Sequence, residues 1–169
     1  MEATAIDSRM HSFLVLYDMH SRLYQNVIEG ISDKDAQNRL NTQANHVAWI
    51  AGSLVFERYG LAKVMGADMS GAESADYSLF TDHRGIKDDV TYPSLQDYKK
   101  DWEKITPHLR KVLEGLTSKQ LDGPDPYQMP GESYTLFETL AFMIDRESYC
   151  IGQIGLYRRL LGYPAMKYQ

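Results

Sequence analysis

The sequence predicts an all-α protein, a four-helix bundle with one long crossover between its second and third helices. Glycine and proline, which break helices, are nearly absent from four long windows and collect between them. Within the windows, apolar residues recur every three or four positions, which is the period of an amphipathic helix. The sequence has no segment with the alternation typical of a strand and no visible internal repeat.

The composition is that of one globular domain, which we place over residues 1–169. Hydrophobic residues make up 43% and charged residues 24%, close to the globular average, so a disordered chain is not expected. The net charge of −5 argues against a nucleic-acid partner, and no apolar run is long enough to cross a membrane. A single cysteine excludes an intrachain disulfide, and the first residues lack a secretory signal pattern, so we expect a cytoplasmic protein.

The first two windows are each followed by a glycine, a helix stop signal. The first window spans residues 7–29, and a short helix is expected from Ser32. The second spans residues 42–65 and contains Gly52 and Gly60. Glycine inside a helix is unfavourable, so these two positions either argue against a continuous helix or indicate close packing against a neighbouring helix.

The second and third windows are separated by residues 67–93, a connection much longer than a tight turn. We expect this segment to be a crossover between helices that are not adjacent in the simplest up-and-down order. The third window spans residues 94–115 and contains Pro107, which we expect to kink or restart the helix.

Polar residues interrupt the apolar arc of the second helix, where apolar side chains are expected. His46, Ser53 and Glu57 lie on one line along this helix. Apolar residues flank the line: Val47, Ile50, Leu54 and Leu61 on one side, and Trp49 and Phe56 on the other. The arrangement indicates that these polar side chains face the interior.

The fourth helix repeats the arrangement. It opens at Ser133 or Thr135 and runs to Leu161. Its polar line comprises Thr139, Arg146, Cys150, Gln153 and Tyr157, flanked by Phe142, Tyr149 and Leu160 on one side and by Met143, Ile154 and Leu161 on the other. A buried charge without a partner costs several kcal/mol, so Arg146 needs an anion, and Glu57 is the candidate.

Three interpretations of the two polar lines stay open. The lines form a hydrogen-bonded core network, or one helix is rotated so that its line faces solvent, or both lines border a pocket between the second and fourth helices. In the third case, the residues that line the pocket are Trp49, Ser53, Glu57, Arg146, Cys150, Gln153 and Tyr157.

Two segments of these helices resemble the DinB-like superfamily, which includes metal-dependent thiol S-transferases of the bacillithiol and mycothiol type. Residues 45–53, NHVAWIAGS, are similar to that family's second-helix segment. Residues 150–162, CIGQIGLYRRLLG, resemble its last-helix signature, in which a His-Arg-Gly-Gln run precedes an end rich in Leu, Tyr and Arg. The resemblance spans nearly the whole chain in helix order.

The resemblance implies a divalent metal, such as zinc or nickel, held by three histidines, and a low-molecular-weight thiol as cosubstrate. His46 matches the histidine on helix two, but the two positions on the last helix hold Arg146 and Cys150. A protonated arginine is not a ligand, and His46 with Cys150 gives only two donors. We therefore expect no metal or other cofactor; the alternative ligand set is His46, Cys150 and Glu147.

Cys150 itself has two interpretations. It is a small buried residue, as free cysteines usually are, or a reactive thiol whose pKa is lowered by Arg146 one turn away.

A homodimer is expected from the fourth helix. Phe137, Ile144 and Ile151 lie away from the polar line and form a second apolar face, which indicates packing against another chain. The resemblance also implies dimerisation.

Two function classes remain. In the first, the chain binds or conjugates a small anionic or thiol molecule, with Arg146 orienting an anionic group and His46 acting as a hydrogen-bond donor or catalytic base. In the second, it is a non-catalytic, stress-associated interaction module that kept the scaffold after losing the metal triad. The polar lining favours the first class, and the missing triad favours the second.

Overall fold

The computed structural model describes residues 7–67, 69–128, 130–131 and 133–168. In these residues the regular elements are helices, and an isolated bridge between Pro124 and Thr135 belongs to no strand, so the all-α prediction is confirmed. None of the described helices is long and apolar enough to span a bilayer. The α-helices are α1 (Ser8–Ile28), α2 (Asp33–Ala36), α3 (Val47–Val64), α4 (Leu95–Glu114), α5 (Ser118–Leu121) and α6 (Leu136–Leu160), and one 3-10 turn spans Ser78–Phe80.

Local side-chain caps set the start of two long helices where the sequence predicts them. Ser94 caps α4 by accepting a hydrogen bond from the backbone N–H of Asp97. Thr135 and Glu138 form a reciprocal capping box, so α6 begins directly after Thr135 rather than after Ser133.

The helix α3 begins later than predicted, at Val47 instead of near residue 42. Leu40 and Asn41 have φ angles of 53° and 57°, in the left-handed region that a right-handed helix excludes. His46 then starts the helix, because its Nδ1 accepts the backbone N–H of Trp49 at 3.1 Å.

Pro107 lies inside α4, but it does not restart the helix, which is continuous from Leu95 to Glu114. The proline is exposed, so water can reach the carbonyl group that the missing N–H leaves unbonded. One residue earlier, the hydroxyl of Thr106 donates to the carbonyl of Trp102 at 2.6 Å.

The first and last long helices run in the same direction. Near their N-terminal ends, the guanidinium of Arg9 lies 5.0 Å from the ring centre of Phe137. Near their C-terminal ends, Arg158 donates to the carbonyl of Val27 at 3.2 Å. Contacts at corresponding ends require α1 and α6 to be parallel.

The helices α3 and α4 are also parallel. Gly52 lies against Tyr98 in the first half of each helix, and Arg58 donates to Thr106 in the second half of each. The 18 residues of α3 span about 27 Å, so the chain must return over about that distance before α4 begins.

These two parallel pairs oppose each other. Tyr24, late in α1, donates to the carbonyl of Ala51, early in α3, at 3.2 Å. Arg58, later in α3, donates at 3.1 Å to Ser21, which lies earlier in α1 than Tyr24. α1 and α6 therefore run against α3 and α4.

The returning chain, residues 69–94, is called the linking segment here and is fixed to α4 through a buried carboxylate. Asp101 is fully buried and accepts the backbone N–H groups of Ser74 and Ala75 at 2.6 and 2.9 Å, together with the hydroxyl of Tyr77 at 2.9 Å. Further along, Phe80 packs against aromatic rings of α3. The linking segment is thereby held over one face of α3.

Gly52→Ala is expected to lower the free energy of unfolding by about 1–3 kcal/mol, because the position has no room for a side chain. An added Cβ would lie 2.5 Å from the Cζ and the hydroxyl oxygen of Tyr98 and 2.6 Å from the ring of Phe80. Urea denaturation measures the loss. Gly152→Ala on α6 is the control, since its Cβ would meet nothing within 4 Å and should gain up to about 1 kcal/mol from helix propensity. Equal stability of the two variants would contradict the close approach at Gly52.

Candidate functional site

A cleft of about 220 Å³ opens between α3, α6 and the linking segment. It lies between the two helices that carry the polar lines, the predicted second and fourth helices. Its lining comprises Trp49, Ser53, Phe56 and Glu57 from α3, Arg146 from α6, and Leu79, Phe80, His83, Arg84 and Gly85 from the linking segment.

Arg146 lies in this cleft and is held by two residues of α3. Its Nη1 donates to Oε2 of Glu57 at 2.6 Å, and its Nη2 donates to the hydroxyl oxygen of Ser53 at 3.1 Å. Ser53 gives its own hydroxyl proton to the carbonyl of Ile50, which leaves its oxygen free to accept. The predicted pairing of Arg146 with Glu57 is confirmed.

Glu57 has an unusual protonation equilibrium for a paired carboxylate. Burial raises its pKa to about 7, although the positive charge of Arg146 acts in the opposite direction, and the nearby Glu147 adds to the rise. The exposed fractions of the two side chains are 12% for Arg146 and 27% for Glu57, so the pair stands at the boundary between the interior and the cleft.

The walls of the cleft are aromatic, and its rim is basic. The ring of Phe80 lies 6.3 Å from Trp49 and 6.0 Å from Phe56, so α3 and the linking segment form a continuous apolar surface. His83 and Arg84, which the linking segment contributes to the cleft, are exposed. The cleft thus combines apolar walls with two guanidinium groups and one carboxylate.

A second ion pair, not predicted from the sequence, lies deeper in the protein. Arg58 binds both carboxylate oxygens of Glu147, with its Nε at 2.6 Å from Oε1 and its Nη2 at 2.9 Å from Oε2. Its Nη1 donates to Ser21 at 3.1 Å and to Thr106 at 2.7 Å. The Nδ1 of His20 lies 3.4 Å from Oε2 of Glu147. All four long helices take part in this network.

Aromatic rings enclose the guanidinium of Arg58. Its central carbon lies 4.0 Å from the ring centre of Tyr17 and 3.5 Å from that of Trp102. Burial alone would raise the pKa of Glu147, but the charge of Arg58 and its hydrogen bonds, together with the nearby ring of His20, outweigh it and hold the pKa below its usual value. The pair is therefore ionised.

The sequence carried a signal for this second pair. Arg58 lies four residues after Leu54 and three before Leu61, so it shares a helix face with two apolar residues. Glu147 directly follows Arg146 on the last helix, and Arg58 directly follows Glu57 on the predicted second helix. Arg58 and Glu147 carry opposite charges next to the predicted pair, which indicates a second ion pair between the same helices.

Four of the predicted lining residues lie in the cleft: Trp49, Ser53, Glu57 and Arg146. The other three are not among its lining residues. Cys150 and Tyr157 are buried and Gln153 is exposed. The helix α6 thus contributes one residue, not four, to the cleft.

His46 is also outside the cleft lining, two helical turns before Ser53. It is 5% exposed, and its ring meets that of Tyr92 edge-on with centres 5.0 Å apart. Burial lowers its pKa to about 4, so the ring is neutral at pH 7, as its capping bond to the N–H of Trp49 requires. The structure gives His46 a helix-capping role, and its predicted role as a base stays a prediction.

Cys150 is 3% exposed, and burial raises the pKa of its thiol to about 11 despite the lowering effect of Arg146. The buried interpretation is therefore favoured over the reactive one.

The prediction that the second apolar face of the last helix packs against another chain is wrong. Ile144 and Ile151 are 9% and 3% exposed and belong to the core, and Phe137 is partly covered by Arg9. The predicted apolar flank of the polar line is wrong on one side as well, since Phe142, Tyr149 and Leu160 are 48%, 46% and 60% exposed. The pairing of Glu147 with Arg58 rotates α6 so that a different face points inward.

The residues do not fit the divalent metal that the resemblance implies. Arg146 stands at one ligand position, the thiol of Cys150 is held neutral, and Nδ1 of His46 is engaged in a cap. Both oxygens of Glu147 are bound by Arg58. Within residues 7–67, 69–128, 130–131 and 133–168, no group of three or more His, Cys, Asp and Glu side chains is placed to hold a metal ion.

No protein-family model matches the chain, and no curated protein matches it. The relationship to the DinB-like superfamily therefore stays a prediction from the residues quoted above.

Glu147→Gln is expected to lower the free energy of unfolding by about 3–5 kcal/mol, because it leaves Arg58 buried without a countercharge. Arg58→Met combined with Glu147→Leu removes both charges and should cost less than the single change. Urea denaturation of the single and double variants measures the difference.

The matched control is Asp18→Asn, which breaks the outer pair that Asp18 forms with Arg110 at 2.8 Å, with side chains 39% and 36% exposed. Its loss should stay below about 1 kcal/mol. A loss at Glu147 as small as the loss at Asp18 would contradict the structural role of the inner pair.

Proposed function

We propose that the chain binds a small organic anion in the cleft between α3, α6 and the linking segment, without a metal. The observation that carries this proposal is Arg146, a guanidinium 12% exposed at an apolar cleft and held there by Glu57 and Ser53. A guanidinium at a partly dry site is a strong partner for a carboxylate, because its parallel N–H groups match the two oxygens.

The shape of the cleft supports a small ligand with an apolar body. Its volume of about 220 Å³ is below the roughly 300–1,000 Å³ of sites for drug-sized molecules. The rings of Trp49, Phe56 and Phe80 supply apolar contact, and Arg84 adds a second positive charge at the rim. An aromatic or aliphatic carboxylate, including a thiol that carries a carboxylate, fits this combination.

Binding is favoured over thiol transfer by the state of the two candidate reactive groups. Cys150 is buried with a raised pKa, and His46 uses Nδ1 to cap α3 outside the cleft lining. Neither group is placed to activate a thiol bound beside Arg146.

Phenylacetate and mercaptoacetate are suitable first probes, tested by thermal shift and titration calorimetry. Binding should raise stability by about 2.7 kcal/mol at one hundred times Kd. Arg146→Gln should weaken binding at least tenfold, since a hydrogen bond to a charged group contributes about 1.5–3 kcal/mol. Arg110→Gln, which removes an outer guanidinium, should leave binding unchanged. Equal affinity of the Arg146→Gln variant and the wild type would refute the proposal.

We propose that the four long helices form a four-helix bundle of the DinB-like type, with the linking segment as its crossover. The parallel arrangement of α3 and α4 supports this topology, because two parallel neighbours in sequence need a connection that returns over the length of a helix. A cytoplasmic location belongs to the same proposal and is supported by the single, unpaired cysteine.

A second candidate function is association of two copies of the chain, as in an interaction module. Four large apolar side chains of α6 are exposed at spacings of seven, seven and four residues, which places them on one side of the helix. They are Phe142, Tyr149, Leu156 and Leu160. The neighbouring α1 exposes Val15, Leu16 and Met19. We propose that a two-fold dimer buries this surface.

Sedimentation at tens of micromolar should therefore show a dimer. Leu156→Lys should shift it to monomer, because a lysine placed in an apolar contact loses its hydration. Gln96→Lys on α4 is the control and should leave the dimer intact. A monomeric wild type at this concentration would contradict the association.

A further inference from the structure

We infer that Glu57 occupies the anion-binding position of Arg146 and that a carboxylate ligand displaces it, with Glu57 taking up one proton from solvent. This inference rests on the proposed function of the cleft and concerns how that binding is controlled. Glu57 is then an internal competitor, and the protein binds a carboxylate together with a proton.

Displacement follows from how Arg146 is already engaged. Its Nη1 donates to Glu57 and its Nη2 donates to Ser53, so both terminal nitrogens have an acceptor. These bonds use one N–H group on each terminal nitrogen, and a ligand carboxylate that binds the same two N–H groups takes the place of Oε2 of Glu57. The bond to Ser53 is to a neutral hydroxyl and is the weaker of the two, because hydrogen bonds between charged groups are about twice as strong.

The buried cation next to Glu57 on α3 is already engaged and is not available to the displaced carboxylate. Arg58, next in the chain, already makes four hydrogen bonds to Glu147, Ser21 and Thr106. On α6, Glu147 repels a second negative charge. A carboxylate left without a countercharge at a partly dry site becomes neutral by binding a proton.

The remaining titratable groups around Glu57 do not change this balance. Arg84 belongs to the linking segment and is exposed, so water and salt screen its charge, and the neighbouring His83 is exposed as well. Burial, with a further contribution from Glu57, raises the pKa of Tyr127, and burial raises those of Tyr17 and Cys150, so all three stay neutral. The side chains that α4 contributes to the adjoining cavity are apolar.

Glu57 also has space to move into. It borders a second cavity of about 20 Å³, which is lined by residues of all four long helices and is mostly apolar. A space of this size holds about one water molecule, and therefore the end of a carboxyl group. A neutral carboxyl group is tolerated there, whereas a charged one is not.

The pH dependence follows from the pKa of about 7 that Glu57 has while paired with Arg146. Below that pH most molecules already carry the proton on Glu57. The neutral carboxyl group binds Arg146 only weakly, so the ligand displaces it readily. Above it the proton must come from solvent, so affinity falls as pH rises. Linkage then gives an affinity about tenfold weaker at pH 8 than at pH 6.

Titration calorimetry with phenylacetate tests this in pairs of buffers that differ in ionisation enthalpy, HEPES and Tris at pH 8 and MES and Bis-Tris at pH 6, because the difference in heat gives the number of protons bound. Phenylacetate stays ionised across this range. About 0.9 proton should be taken up per ligand at pH 8 and about 0.1 at pH 6. An infrared difference spectrum at pH 8 should gain a protonated-carboxyl band when phenylacetate is added.

Glu57→Gln, which imitates the neutral form, should bind phenylacetate with no proton uptake and with the same affinity at pH 6 and pH 8. Asp18→Asn, the control at the outer pair with Arg110, should keep the pH dependence of the wild type. If the Glu57→Gln variant does not fold, the proton count and the infrared band of the wild type decide the matter.

Binding without proton uptake, or a pH dependence that persists in Glu57→Gln, would overturn the inference and leave the proposed binding function standing. If the wild type binds neither phenylacetate nor mercaptoacetate at any of these pH values, the proposed function and the inference fail together.

Discussion

The buried ion pair between Arg58 and Glu147 joins α3 to α6, and the hydroxyl groups and aromatic rings that surround it come from α1 and α4. In a low-dielectric interior such a pair is stable only when its geometry and hydrogen bonds are nearly complete. Any rotation of α6 that removed Glu147 would leave the guanidinium charged and unpaired. This requirement selects one rotation and one register of the long helices, and the position of every other side chain on α6 follows from it.

The neighbouring ion pair, Arg146 with Glu57, lies at the boundary between the interior and the cleft. Glu57 precedes Arg58 and Arg146 precedes Glu147, so the two ion pairs occupy adjacent positions on each helix. In one pair the cation belongs to α3, and in the other it belongs to α6. Glu147 receives two bonds from Arg58 and has His20 beside it, and its pKa is lowered. Glu57 receives one bond from Arg146 in surroundings that provide little else, and its pKa is raised to about 7. The pair of Arg58 and Glu147 is suited to structure, and the pair of Arg146 and Glu57 to exchange.

The cleft itself is a product of the chain path. Because α3 and α4 are parallel, the linking segment has to return along α3, and Asp101 fixes it there through Ser74, Ala75 and Tyr77. Its aromatic and basic residues then become the wall that faces Arg146. A shorter connection between antiparallel helices would leave this side of α3 open to water, and Arg146 with Glu57 would form an ordinary surface bridge.

The sequence by itself determined what depends on near neighbours in the chain. The capping box of Thr135 and Glu138 predicts where α6 begins, and the apolar surroundings of Arg146 predict an anionic partner and identify Glu57.

The tertiary structure decided what depends on how the helices are rotated and on contacts between distant segments. The directions of consecutive side chains differ by about 100° around the helix axis, so an error of that size in the predicted rotation changes which residue faces the interior. In the structure Glu147 is buried, and Phe142 points outward. The helical period places His46 on the same line as Ser53 and Glu57. In the structure its Nδ1 instead accepts the backbone N–H of Trp49, which starts α3. The wall formed by the linking segment rests on bonds across more than twenty residues, for which no local pattern exists.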